Sequence, residues 1–449
     1  MPFSACRSVV LALLALLQSP VTEHPSVSYS AETPTDPVAR LAQKLNTGQD
    51  KLEFDEKQGY LPSLLQKLNI PISSQTLVFS KTSLQADRIS PRRPRAVYFN
   101  DSVYVGWIPD APLIEFASVD PKLGAVFYTL DQAKDATPQF ERHTTECMQC
   151  HEGAFTDGVP GLMMRSVYPD SGGNAIFRAG TFLTTDRSPW RERWGRWYVT
   201  GAHGDQVHMG NMMATEHIHA ASNIDAQVAH VDLKAGANLK DVQDKFDSEY
   251  YLSPHSDIVA LLVLTHQTNV HNLITRVNYE ARITIFEQQI SKDANDLSPA
   301  QVPPSLRNSI EALVSAMLFT GEPDLAEPVK GTSGFAEQFA VDAPHDRKGR
   351  SLRDLDLDRR LFRYPLSFLI YSEAFDALPA PAKTLFYYRL REILNGNDTS
   401  PQFEHLSIAD RTAILEILKD TILTPRGEHD NPAPGHFSPA FRAQAVLFD

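Results

Sequence analysis

A chain of 449 residues exceeds what one ordinary core serves and predicts two or three packed units. Hydrophobic residues at 42% and charged residues at 22% exclude an intrinsically disordered chain. A formal net charge of −13 excludes a generic nucleic-acid binder, which needs a basic face to displace counterions, and favours a protein partner with a basic patch.

Residues 1–30 read as an export signal. Arg7 supplies a positive charge and "SVVLALLALL", residues 8–17, an apolar stretch. That stretch is too short to span a bilayer, which takes about 20 apolar residues. A polar, Pro-rich stretch follows, and cleavage is expected between Thr22 and Ala31. No other segment reaches 18 consecutive apolar residues, so no transmembrane segment is expected in the mature chain.

Residues 31–132 form a first unit. "VARLAQKLNT" and "LPSLLQKLN" have helical spacing, and residues 96–120 alternate Tyr, Val and Ile with polar positions, which predicts a hairpin or small sheet.

Residues 133–295 open on "ECMQCHEG", residues 146–153. Once Cys6 leaves with the signal, Cys147 and Cys150 are the mature chain's only cysteines, and His151 follows the second directly. Three chemistries use a Cys-x-x-Cys pair. Structural zinc needs four ligands, and no second pair completes the tetrahedron. A thioredoxin-type dithiol does not require the histidine. Covalent haem attachment requires all three residues: the thiols add to the two vinyl groups and the imidazole takes the iron. The pattern arises by chance about once in 1,500 chains of this composition. The spacing therefore predicts one haem c, bound by Cys147, Cys150 and His151, with His151 as proximal iron ligand.

The other axial position is left open between several side chains. His208 and Met209 lie in the Gly-flanked stretch "GDQVHMGN". His266 and His271 lie on a predicted apolar helix over residues 256–283 that starts with Ser256 and Asp257; five residues apart, they differ by about 140° and cannot serve one metal from one face. Met163, Met164, His203, Met212, Met213, His217 and His219 complete the set, and an iron with no protein ligand on that side is the remaining option. Trp190, Trp194 and Trp197 suit either a cofactor wall or an ordinary aromatic core with cation–π contacts, and Arg165 and Arg178 are candidate propionate partners.

Residues 300–425 are predicted mainly helical, with helices at 305–319, 383–396 and 406–421, the last opened by a Ser407/Asp410 capping box. Residues 332–357 read as a polar loop, and 426–449, rich in proline, as an extended tail. Asp354, Asp356 and Asp358 lack the EF-hand spacing and read as a solvated acidic face. The expected fold class is α+β: a small β-containing N-terminal part, an irregular and helical haem region, and a mainly α-helical C-terminal part.

Together, the haem motif, "ASVDPKLGAVFYTLDQ" (117–132), "RWGRWYVTGAHGDQVHMGN" (193–211) and "RLFRYPLSFLIYSEAFDALP" (360–379) resemble a family of large exported bacterial proteins described as cytochrome c domain-containing. The resemblance spans residues 90–425. It implies haem c, carried by Cys147, Cys150 and His151, and a periplasmic or otherwise extracytoplasmic location; it supplies neither a substrate nor a distal ligand. The family's Tyr-Pro pair is often followed by Cys, whereas Leu366 follows Pro365 here, so any role of that thiol is absent. The expected function is electron transfer with a redox partner protein. The alternative is a peroxidase-like haem oxidoreductase, for which a chain much longer than a carrier needs is the argument.

Overall fold

The computed structural model describes residues 21–134, 138–213, 231–288, 302–341 and 343–423. Most of the predicted leader and the tail from 426 lie outside the described residues, as do His217 and His219.

Alternating residues in the first unit build a sheet larger than the expected hairpin. Its strands are β1 (Thr76–Val78), β2 (Arg95–Phe99), β3 (Val103–Trp107), β4 (Leu113–Asp120), β5 (Gly124–Asp131) and β6 (Phe140–His143). Strands β7 (Arg165–Val167) and β8 (Thr181–Leu183) pair only with each other, while β9 (Trp197–Tyr198) returns to the edge of the main sheet. The main sheet has the order β6-β5-β4-β3-β2-β1-β9, every neighbouring pair antiparallel. It therefore crosses the expected boundary at residue 133. The Cys-x-x-Cys-His segment hangs from one edge strand, and residues 197–204 enter through the other.

Period-2 alternation gives the sheet two apolar faces. Ala96, Tyr98, Val105, Ile114, Phe116, Val126 and Tyr128 pack with the N-terminal helices α1 (Pro37–Asn46) and α2 (Leu61–Lys67). Phe99, Tyr104, Val119, Ala125 and Phe127 face the other way. Within residues 22–31, Thr22, Val27 and Tyr29 are buried, and the Tyr29 hydroxyl donates to the Ala125 carbonyl at 2.9 Å. The expected cleavage range of 22–31 thus falls within packed chain.

Beyond the single-turn helix α3 (Met148–His151), the chain reaches the long helix α4 (Ile258–Glu287), buried along most of its length. It crosses the second sheet face over the hairpin turns. Gln267 donates to the Asn100 carbonyl, Tyr279 to that of Leu123 and Asn278 to that of Pro121. Asp257, one of the two residues expected at the start of this helix, caps it: its Oδ1 accepts from Val259 N at 2.8 Å and Ala260 N at 3.2 Å. Its Oδ2 accepts from Thr332 N, Ser333 N and the Ser333 hydroxyl at 2.6–3.0 Å. A fully buried carboxylate is tolerable here because five donors surround it. Asp257→Ala strands those donors and is expected to lower the unfolding free energy by about 3 kcal/mol, measured by urea titration.

The C-terminal part is helical, as expected: α5 (Pro304–Met317), α6 (Phe335–Val341), α7 (Glu373–Asp376), α8 (Ala380–Leu394) and α9 (Ile408–Leu418). Helix α5 packs along α4 and α8 along α5, and the Ser407/Asp410 capping box opens α9. Helix α6 corrects the loop expected over 332–357. Phe335 and Phe339, one helical turn apart, are buried against Phe99, Phe362 and Phe368, so tertiary packing overrides a polar local sequence. With 36% helix and 15% strand the class is mixed α+β.

Candidate functional site

The motif turn is delivered by the sheet. His143, the last residue of β6, is the register partner of Phe127 on β5, and Cys147 follows four residues later. The His143 Nε2 pairs with the Thr129 hydroxyl at 2.8 Å, which ties the edge strand to its neighbour. Helix α3 then forms one turn in which the Cys147 carbonyl accepts from Cys150 N at 3.2 Å and His151 N at 2.9 Å. Both cysteines are free thiols, Cys147 half-buried and Cys150 exposed.

His151 is held on every side but one. Its ring lies 4.6 Å from the Phe127 ring, and its carbonyl accepts from Gly161 N at 2.9 Å and the Thr156 hydroxyl at 3.2 Å. The Nδ1 is 2.8 Å from the Gly161 carbonyl. A carbonyl only accepts, so the ring proton sits on Nδ1 and the lone pair on Nε2, which has no hydrogen-bond partner among the described residues. Burial lowers the His151 pKa from its ordinary value, favouring the neutral, ligating form.

The Cys147 thiol is not activated for disulfide exchange. Burial first, then the Glu115 and Glu146 carboxylates and Cys150, push the Cys147 thiol up to about 11. A dithiol exchanger needs the opposite, a thiol pKa near or below neutrality. Zinc lacks ligands as well: among the described residues no group of three or more His, Cys, Asp or Glu could hold a metal ion.

Beside Cys147 the sheet face is incompletely covered. Arg95, Val97, Gly106, Glu115 and Ala117 are only half-buried, while Val97 and Ala117, like Cys147, pack against the core beneath α4. Within this strip Arg95 Nη1 donates to Glu115 Oε2 at 3.0 Å, leaving Arg95 Nε and Glu115 Oε1 buried without partners among the described residues. The donor set fits a haem: two free thiols and a neutral imidazole on one turn, the imidazole's distant nitrogen pinned and its near nitrogen unengaged.

The leading distal candidates have surroundings of their own. His208 and Met209 sit beyond β9: Met209 N donates to the Arg193 carbonyl, Met209 Sδ accepts from the Ser166 hydroxyl at 3.5 Å, and the His208 ring lies against Trp194 and His203 at 5.4 and 4.7 Å. They are carried by the chain that follows β9, the sheet edge opposite the β6 strand that leads into the motif turn. His266 has both nitrogens engaged, Nδ1 with Asp186 at 3.1 Å and Nε2 with the Ser367 hydroxyl at 2.7 Å, and its ring stacks on Phe319. That Ser–His–Asp arrangement is sealed, with Ser367 and His266 wholly buried and the Ser367 oxygen also capping Leu369 N, so it braces α4 against the C-terminal part. His271 donates from Nε2 to the Asp101 carbonyl at 2.8 Å; its Nδ1 is buried without a partner and its ring meets Tyr104, two strand spacings (about 10 Å) from Phe127.

Trp190 and Trp194 meet edge to face and Arg193 lies over Trp190, the aromatic-core option. Arg165 is stacked between Phe155 and Phe177 and donates to the Thr181 hydroxyl. Sequence reasoning missed Phe127, Thr156, Gly161 and the Arg95–Glu115 pair. A glycine just after proline in "GVPGL" was the sole local signal.

The architecture and turn thus define an α+β chain with a Cys-x-x-Cys-His turn set against the edge of an antiparallel sheet. No protein-family description, curated protein or solved structure matches the chain.

Proposed function

We propose that the chain is an exported monohaem c-type cytochrome that transfers electrons through one covalently attached haem. The observation that carries this reading is the His151 Nδ1 bond to the Gly161 carbonyl, which presents a neutral Nε2 beside two unpaired thiols. Bound there, the haem supplies a one-electron iron couple. The chain's own part is to tether it through Cys147 and Cys150, ligate it through His151 and hold that ring against Phe127. Proton transfer is not required of any residue. The net charge of −13 supports a redox partner with a basic docking face and disfavours nucleic acid. No helix among the described residues is long and apolar enough to cross a membrane.

A second reading, a haem oxidoreductase with an exchangeable sixth position, draws on two observations. His266 has both ring nitrogens engaged and His271 donates from Nε2 to the Asp101 carbonyl, and an ion pair with a spare carboxylate oxygen, Arg95–Glu115, lies on the sheet face beside the motif turn. Absorbance spectra of the ferric and ferrous protein with and without carbon monoxide separate the two. A carrier with two protein ligands is expected to leave the ferrous spectrum unchanged by the gas; an immediate shift of the Soret band assigns the enzyme class.

A further inference from the structure

We infer that Asn272, in the middle of α4, is the positioning residue that sets the donor strength of His151. The inference rests on the haem reading above and concerns the control of that site. Asn272 is buried, and its side-chain amide grips a single backbone residue at two points. Oδ1 accepts from Leu162 N at 2.8 Å and Nδ2 donates to the Leu162 carbonyl at 2.7 Å, across 110 residues of sequence. The amide thereby takes the place of a strand partner for Leu162. The next residue upstream is Gly161, whose carbonyl takes the His151 Nδ1 proton and whose N–H donates to the His151 carbonyl. One residue further, the Pro160 carbonyl accepts from Ala125 N on β5 at 3.2 Å. The loop that orients the imidazole is therefore fixed by α4 on one side and the sheet on the other.

The close approach explains the glycine. A Cβ at residue 161 would lie 2.4 Å from Asn272 Oδ1 and 2.9 Å from the Thr156 Cβ, so no larger residue fits without separating the clamp from the loop. Chemically, a firm bond from Nδ1–H to a carbonyl makes the imidazole a stronger donor at Nε2. A stronger donor favours Fe(III) over Fe(II) and lowers the potential of the couple Fe(III) + e⁻ → Fe(II). Loosening the loop does the reverse.

The test uses the haem-loaded full chain with Asn272→Leu, which fills the same space with no hydrogen bonds, and Gln267→Leu as a matched control. Gln267 is also buried on α4 and also holds a distant loop, donating to the Asn100 carbonyl and the Tyr104 hydroxyl, but not the one that carries His151. Asn272→Leu is expected to raise the midpoint potential and speed solvent exchange of the His151 Nδ1 proton, read by NMR. Gln267→Leu is expected to lower the melting temperature and leave both unchanged. Gly161→Ala is expected to shift both in the direction of Asn272→Leu, and serves where that variant does not mature. Equal potentials and exchange rates in Asn272→Leu, Gly161→Ala and the parent, or equal shifts in Gln267→Leu, overturn the inference. The exchange readout does not need the haem. A chain that never acquires haem but whose His151 proton depends on Asn272 contradicts the haem reading alone, and a haem-bearing chain indifferent to Asn272 contradicts the clamp alone.

Discussion

Cys147→Ser/Cys150→Ser, matured alongside the parent in a host that attaches haem c, is expected to lose all haem staining after denaturing electrophoresis. The parent is expected to keep it. Thioethers survive detergent and heat, while axial ligation by His151 alone does not, so the contrast is all or nothing. The double substitution is mild for the fold. Cys150 is exposed, Cys147 is half-buried, and neither thiol makes a disulfide, so the melting temperature of the unloaded chain should change little. Each single variant should retain one thioether and some stain. Covalent haem persisting in the double variant would remove the motif from the account.

The second large effect is a stability maximum near pH 6.5. Burial depresses the His208 pKa to about 3 and the His271 pKa to about 4, against an ordinary value of 6.5. Between those limits the unfolded chain binds more protons than the folded one, so stability rises with pH until about 6.5. Glu322 works the other way. Burial, then the neighbouring Asp186 carboxylate, raise its pKa to about 8 from the usual 4.5. From pH 4.5 to 8 the folded chain is the one that holds the extra proton, and stability falls as pH rises. His208 and His271, joined by His151 and His203, whose pKa values burial also lowers, outweigh one glutamate below pH 6.5, and once the histidines have deprotonated the glutamate dominates. Each such group changes the free energy by about 1.4 kcal/mol per pH unit at full slope. Differential scanning calorimetry should show the melting temperature climbing from pH 4.5 to 6.5 and then dropping by a few degrees toward pH 8. Glu322→Gln should abolish the drop and keep the climb. A melting temperature flat across the range would contradict the shifts assigned to these groups.

How much of this could be read from the sequence divides by range. The turn Cys147–His151 was legible because its three chemical groups are neighbours and their combination is rare. The start of α4 was legible because a capping aspartate precedes a long apolar stretch, and the Ser407/Asp410 box opened α9 for the same local reason. Strands β2 to β5 showed their alternation. Strands β1 and β6 are too short to declare a period, so the sheet was expected smaller than it is. Helix α6 was hidden because Phe335 and Phe339 sit among polar residues, and only the aromatic cluster around Phe362 and Phe368 makes that turn apolar.

The surroundings of the distal candidates were illegible for a different reason. A histidine on an apolar helix needs a partner, and sequence cannot say which: His266 found Asp186 and Ser367, and His271 found the Asp101 carbonyl. His208 and Met209 are close to the motif in the chain but enter through the opposite sheet edge. The Asn272–Leu162 clamp and the His151–Gly161 bond depend on packing between α4, the loop and β5, which no local pattern reports.

The intact mass of the full chain, after expression with a haem c assembly system and purification under denaturing conditions, tests the central claim most directly. One haem macrocycle added to the mass of the mature polypeptide, localised by peptide mapping to the fragment containing Cys147 and Cys150, is the predicted result. A mass equal to that of the bare polypeptide, or two hydrogens less from a Cys147–Cys150 disulfide, would contradict it.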